Sequence, residues 1–122
     1  MSKRILVVDD QADLRLLIRL SLRALGEVLQ TASAEQALDM IADGAPDLLV
    51  LDVCLGRGRS GLDLCRTLRA DPPTRGMKIL LLSANGQPSD IAAGRAAGAD
   101  DYVVKPFSPD ALLDAAARLL TP

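Results

Sequence analysis

The chain has 122 residues, enough for one domain and too few for two ordinary ones. Its net charge of −2 and pI near 5.0 argue against a nucleic-acid surface, which needs a basic face. It is 49% hydrophobic but only 2% aromatic, so the core must be built from Leu, Ile, Val and Ala. No apolar run approaches the roughly 18 residues of a membrane helix. The start, Met1-Ser2-Lys3-Arg4, meets only four apolar residues before Asp9, too few for a signal-peptide core. Cys54 and Cys65 form neither a metal spacing nor a disulfide framework, and a cytoplasmic location is expected. Histidine is absent, which excludes a phosphohistidine and any histidine-based metal site or triad in this chain.

Apolar runs and helical patterns alternate along the whole chain. Strand 1 is expected at about Arg4 to Val8. Helix 1 follows from about Ala12 to Leu25, with Leu14, Leu17, Ile18, Leu22 and Leu25 on one face. Asp13 lies in its first turn, where negative charge suits the dipole, and Gly26 is expected to end it. A weak strand 2, about Glu27 to Thr31, leads to Ser33-Ala34-Glu35-Gln36. That segment reads as a capping box opening helix 2, which Gly44 and Pro46 close. Strand 3 is Asp47-Leu48-Leu49-Val50-Leu51-Asp52-Val53, apolar enough to be buried on both faces. A loop rich in glycine and arginine, Gly56 to Gly61, precedes helix 3 at about Leu62 to Ala70. Strand 4 spans Lys78 to Leu82. Helix 4, about Ser89 to Ala97, is mostly alanine, with Ile91 as its one large apolar anchor. Small side chains bury little area, so this helix is expected to be loosely held. Strand 5 covers Tyr102 to Val104, and Ser108-Pro109-Asp110 starts a helix 5 that runs to Leu120.

Five strands alternating with five helices predict a doubly wound α/β fold, a parallel sheet covered on both faces. Strands 1, 3, 4 and 5 each run into a polar residue able to do chemistry: Asp9-Asp10, Asp52, Ser83 and Lys105. Strand 2 does not. The flavodoxin-like order 2-1-3-4-5 puts strand 2 at an edge, groups the other four, and sets the switch point between strands 1 and 3. Asp9, Asp10 and Asp52 then share one crevice. Three carboxylates together call for a hard cation, and Mg²⁺ typically accepts one or two carboxylates while keeping several waters. With an ammonium and a hydroxyl added, such a site is equipped for phosphoryl transfer, and a carboxylate can serve as the nucleophile. Asp52, at the end of the central strand, is the best candidate.

These residues resemble the receiver domain of two-component response regulators, over essentially the full length, 1–122. The resemblance implies that Asp52 accepts a phosphoryl group and that Asp9, Asp10 and Asp52 hold Mg²⁺, Asp10 directly and Asp9 more often through water, with Mn²⁺ able to substitute. The backbone carbonyl of Cys54 is implied as a further metal ligand. Ser83 and the backbone N–H of Ala84 would receive the phosphoryl oxygens, and Lys105 would neutralise them. Lys105-Pro106-Phe107 matches the lysine motif, in which the bond before the proline is usually cis. Tyr102 stands where the family places its switching aromatic. The implied partners are a histidine kinase or histidine phosphotransfer protein upstream and a protein bound by the helix 4–strand 5–helix 5 face downstream. A phosphorylation-dependent dimer is a further option; direct binding of nucleic acid or membrane is not expected. Such a chain promotes its own phosphorylation and dephosphorylation and is not a turnover enzyme.

The chain departs from the family pattern after Leu55. Gly56 stands where a proline is common, and Gly61 comes nine residues after Asp52 rather than about eight, so a longer loop is expected. Arg57 and Arg59 could attract an anionic donor, although a solvated loop is the simpler reading. Three rival readings share the fold: a flavodoxin-like nucleotide or flavin module, an aspartyl-phosphate phosphatase, and an interaction module that is never phosphorylated. The first lacks a glycine-rich phosphate loop after strand 1. The second lacks an acid at position 54. The third leaves the acid–lysine–serine set without a purpose. No output domain follows helix 5 in this sequence, so either a stand-alone receiver or a piece of a longer regulator or hybrid kinase is expected.

Overall fold

The computed structural model describes residues 3–55, 60–84 and 86–121. Its elements are β1 (Lys3–Val8), α1 (Ala12–Leu22), β2 (Gly26–Thr31), α2 (Ala34–Asp43), β3 (Leu48–Asp52), α3 (Gly61–Ala70), β4 (Lys78–Ser83), α4 (Pro88–Ala96), β5 (Asp101–Val104) and α5 (Pro109–Leu120). A single 3-10 turn at Pro72–Thr74, not expected from the sequence, links α3 to β4. All pairings are parallel, in the order β2-β1-β3-β4-β5, as the strand-end chemistry required.

Alternation along the buried strands divides the core into two layers. Ile5, Val7, Leu48, Val50, Leu80 and Leu82 face Ile18 and Leu22 of α1 and Leu112, Ala115 and Ala116 of α5. Leu6, Val8, Leu49, Leu51, Ile79 and Leu81 face α2 and α3 through Ala37, Ile41, Leu64 and Leu68. Successive strand residues point to opposite faces, so continuous apolar runs are what a sheet covered on both sides demands. All of β3 is buried.

Several local expectations are corrected. Helix α1 stops at Leu22, and Leu25 packs on the core from the turn beyond it. Gly26 is the first residue of β2 and does not cap α1; it pairs with Lys3, and a Cβ there would overlap the Lys3 carbonyl. Leu17 is 41% exposed, together with Leu16 and Leu20, so the buried stripe of α1 is narrower than the leucine spacing suggested. Ser33 Oγ accepts from Gln36 N at 3.2 Å, the forward half of a capping box, but the Gln36 side chain instead accepts from Thr31 Oγ1 at 2.6 Å. The Ser108 cap forms as expected, its hydroxyl accepting from Ala111 N at 3.1 Å. Ser60, not foreseen, caps α3 in the same way through Asp63 N.

One arginine ties three segments together at the far end of the sheet. From the last turn of α3, Arg69 donates to the carbonyls of Gly98, Arg75 and Met77 and to Asp100 Oδ2, the last at 2.7 Å. The same Asp100 oxygen accepts from Ile79 N at 2.8 Å. The two side chains are only 18% and 29% exposed. Removing a partly buried, multiply bonded charge leaves its acceptors unsatisfied. Arg69→Ala is therefore expected to cost about 2–4 kcal/mol in urea unfolding. Arg66→Ala, which breaks an ion pair with Asp63 whose side chains are more than half exposed, should change stability by less than about 0.5 kcal/mol. Equal effects of the two would refute the clasp.

Candidate functional site

The site forms where β1, β3, β4 and β5 end. Val8 passes directly into Asp9, which is fully buried; its N–H donates to Thr31 O at 3.2 Å, extending the β1–β2 ladder by one residue. Asp9 Oδ1 accepts the Gln11 N–H at 2.8 Å, a local turn that launches α1. The next residue, Asp10, is exposed at the mouth of the site. Asp52 closes β3 and is 4% exposed. Its Oδ1 accepts from Cys54 N at 3.1 Å and its Oδ2 from Lys105 Nζ at 2.8 Å.

Lys105 follows β5, and its N–H donates to Ser83 O at 2.7 Å, so the end of β4 fixes the lysine's backbone. Its ammonium also stands 3.7 Å from Asp9 Oδ2. The bond between Lys105 and Pro106 is cis, as the motif suggested. A cavity of about 380 Å³ is lined by Asp10, Gln11, Asp52, Val53, Cys54, Ser83, Ala84 and Lys105. Every residue expected at the site from sequence reaches it except Tyr102, which lies on β5 and packs its ring on the α2–α3 side of the core. The Tyr102 hydroxyl is buried with no hydrogen-bond partner among the described residues. Residues Gly56 to Arg59, where the loop departs from the family pattern, lie outside the described residues.

Three contributors were not foreseen from sequence. Gln11 supplies the N–H that orients Asp9, and Arg15 Nη1 donates to the Asp9 carbonyl at 2.6 Å. Gly61 donates its N–H to Val53 O at 2.8 Å, and a Cβ on it would overlap the Asp52 carbonyl. Its glycine spacing was visible, but not that α3 begins in direct contact with the backbone at the end of β3.

Carboxylate oxygens of Asp9, Asp10 and Asp52 lie within 4.8 Å of one another, a group that could hold a metal ion. Asp9 Oδ2 is buried without a hydrogen-bond partner among the described residues, which fits a position built for a cation. Burial pushes the Asp9 pKa up from 3.8 to about 6; the Gln11 hydrogen bond and Lys105 oppose the rise, and the Asp52 carboxylate adds to it. A buried acid pair with one lysine is therefore under electrostatic stress.

Comparison with known proteins agrees with this geometry. The family model for the response regulator receiver domain matches residues 5–117, which contain every site residue named above. The chain belongs to this family. The receiver is 42% identical over 112 residues to the phosphate regulon transcriptional regulatory protein PhoB of Pseudomonas aeruginosa, covering 91% of this chain and 48% of that protein. It is 43% identical over 116 residues to the DNA-binding response regulator MtrA of Mycobacterium tuberculosis, covering 93% of this chain and 48% of the relative. The chain thus spans about half the length of these curated relatives. Among solved structures it superposes on a putative response regulator from Chloroflexus aurantiacus with a TM-score of 0.92 at 40% identity, covering 98% of each chain. It matches the BeF3-activated DrrB receiver domain with a TM-score of 0.88 at 34% identity, also covering 98% of each. Among the described residues, no helix is long and apolar enough to cross a membrane.

The raised pKa of Asp9 has a consequence for stability. The folded receiver holds the Asp9 proton more tightly than the unfolded chain, so this contribution is fully present below pH 3.8 and is lost as pH rises through about 6. In the presence of a chelator, Asp9→Asn should melt several degrees above wild type at about pH 7.5, with the gain gone near pH 4. Thermal melts across that range check it, and an equal shift at both ends would contradict the buried-charge origin.

Proposed function

We propose that this receiver, spanning 1–122, is a phosphorylation-activated signalling switch whose phosphoacceptor is Asp52. The observation that carries the reading is the convergence of Asp9, Asp10 and Asp52 on one sheet edge, with Lys105 Nζ 2.8 Å from the Asp52 carboxylate. The donor is the phosphohistidine of a sensor histidine kinase or a histidine phosphotransfer protein, which implies a cytoplasmic setting. An Asp52 carboxylate oxygen attacks phosphorus, the phosphorus–nitrogen bond of the donor breaks, and the imidazole leaves with that electron pair. The product on Asp52 is an acyl phosphate. Asp9, Asp10, Asp52 and the Cys54 carbonyl would hold Mg²⁺, or Mn²⁺ in its place. That cation would supply charge compensation for the transferred oxygens.

The chain's own groups do the rest. The hydrogen bond from Cys54 N and the ion pair with Lys105 hold Asp52 in one orientation before any donor arrives. Once the carboxylate becomes an acyl phosphate, the Lys105 ammonium can follow the negative charge onto the phosphoryl group. Ser83, 7% exposed at the cavity wall, and the Ala84 N–H are suited to receive two further oxygens. Drawing Ser83 inward changes the space beside β5, and Tyr102 reports the change to the face formed by α4, β5 and α5. A downstream protein, or a second phosphorylated copy, would read that face. The receiver in this reading promotes its own phosphorylation and dephosphorylation and turns over no separate substrate.

The central test is intact-mass measurement after incubation with Mg²⁺ and acetyl phosphate. Wild type should gain one phosphoryl group and Asp52→Ala none, while Lys105→Ala should be slowed by about tenfold or more. An unmodified wild type, under conditions that modify a control receiver, would sink the proposal. Hydrogen exchange tests the output. Only Gly94 is buried within α4, whose N-cap Gln87 makes no side-chain cap bond. Amides of α4 should exchange about tenfold faster than those of α1, and phosphorylation should alter exchange on the α4–β5–α5 face more than on α2. Equal protection of α4 and α1 would count against this face as the moving part.

A further inference from the structure

We infer that Arg15 is the positioning residue of the acidic turn, setting how firmly Asp9 and Asp10 are presented to a divalent cation. The inference rests on the metal reading of the site given above and concerns a residue outside the acid–lysine–serine set.

The turn from Asp9 to Gln11 is tied down at nearly every polar atom of Asp9. The Asp9 N–H donates to Thr31 O at 3.2 Å, and Oδ1 accepts from Gln11 N at 2.8 Å. The carbonyl accepts from Arg15 Nη1 at 2.6 Å, a shorter bond than the other two. Oδ2 is the exception: it is buried, makes no hydrogen bond among the described residues, and is paired by charge alone with Lys105 Nζ at 3.7 Å. A turn held in this way leaves one carboxylate oxygen without a hydrogen bond and gives it a fixed direction.

Arg15 can do this because of its place in α1. Its own N–H donates to Gln11 O at 3.0 Å, so it stands one helical turn above the start of the helix. Helical side chains lean back toward the N-terminus, and the guanidinium therefore reaches over the turn instead of into solvent. The carbonyl it holds belongs to the peptide joining Asp9 to Asp10. A planar peptide with its carbonyl pinned has its N–H and following Cα pinned too. Asp10 is exposed, and its backbone is restrained by the Gln11–Asp9 turn on one side and by the Arg15 bond to the preceding carbonyl on the other. Arg15 also carries a positive charge on the acidic turn, through its bond to the Asp9 carbonyl, so its role could instead be that of a counter-charge. The two roles have opposite signs: a counter-charge competes with the metal, whereas a positioning residue helps it.

The test is Mg²⁺ titration by calorimetry on wild type, Arg15→Met and Arg15→Lys, with thermal melts in chelator. Positioning requires Arg15→Met to bind Mg²⁺ about 3- to 10-fold more weakly, with Arg15→Lys in between and metal-free melting temperatures close to wild type. Acetyl phosphate labelling of Arg15→Met should recover to within about twofold of wild type at saturating Mg²⁺, a loss of affinity rather than of rate. Tighter binding by Arg15→Met would establish the counter-charge role and overturn the inference. Unchanged affinity, or a loss accompanied by a large drop in melting temperature, would overturn it as well. Failure of wild type itself to bind Mg²⁺ would remove the metal reading together with this inference. Normal wild-type binding with an indifferent Arg15 removes the inference alone.

Discussion

The structure turns on two buried carboxylates, Asp9 and Asp52, that share one lysine. Asp52 is 4% exposed and Asp9 is fully buried, yet among the described residues only Lys105 forms an ion pair with them. Two like charges 4 Å apart repel by about 4 kcal/mol at an effective dielectric of about 20, a large fraction of a small domain's stability. A fold selected for stability alone would place an apolar residue at Asp9. Burial of Asp9, with a pKa pushed up to about 6, is a local cost to the fold and a feature typical of functional sites. The same stress makes the site responsive, because any cation or transferred phosphoryl group changes the balance of charge that Lys105 now satisfies.

That stress can be sustained because the carboxylates sit at the ends of elements that cannot move. All five residues of β3 are buried, and its neighbours β1 and β4 pair with it over four and five positions. Gly61 brings the start of α3 against the Asp52 carbonyl, so the turn beyond Asp52 is closely packed too. The carboxylate is held by the Cys54 N–H and the Lys105 ammonium, and Lys105 in turn is fixed by the Ser83 carbonyl. Precision here comes from backbone contacts at strand ends, where rigid elements give way to loops that can carry chemistry.

The sequence made the sheet order and the convergence of Asp9, Asp10, Asp52, Ser83 and Lys105 legible, because both follow from residue type at strand ends. What it hid were contacts made by, or to, atoms that carry no residue signature. The partners of Arg15 and Arg69 are mainly backbone carbonyls, so each arginine looks like an ordinary solvated helix residue until the chain is folded. Gly26 looks like a helix stop because the leucine pattern runs on to Leu25; only the pairing with Lys3 shows that it serves close strand approach. Gln36 fits the capping-box spacing, but a hydroxyl five residues earlier captures its side chain. Leu17 satisfied the helical stripe by spacing and is nonetheless exposed, since one helix face on a sheet is narrower than the full run of leucines.

The two ends of α4 are unequally anchored. Its C-terminal side is held: Arg69 of α3 grips the Gly98 carbonyl and Asp100, and Ala97 is buried in the core. Its N-terminal side has only the proline-started first turn, without a side-chain cap, and follows directly from the segment after Ser83 and Ala84. The end of α4 that follows β4 in the chain is thus the less anchored one, while the clasp holds the other. Tyr102 lies on β5, with its ring on the core and a hydroxyl that lacks a hydrogen bond among the described residues. A buried hydroxyl without a hydrogen bond is disfavoured by roughly 1–3 kcal/mol, so the side chain has a reason to move as soon as its surroundings offer an alternative. The strain at the acid pair and the unmet hydroxyl of Tyr102 thus lie at the two ends of one short path, from the end of β3 through the end of β4 to the middle of β5.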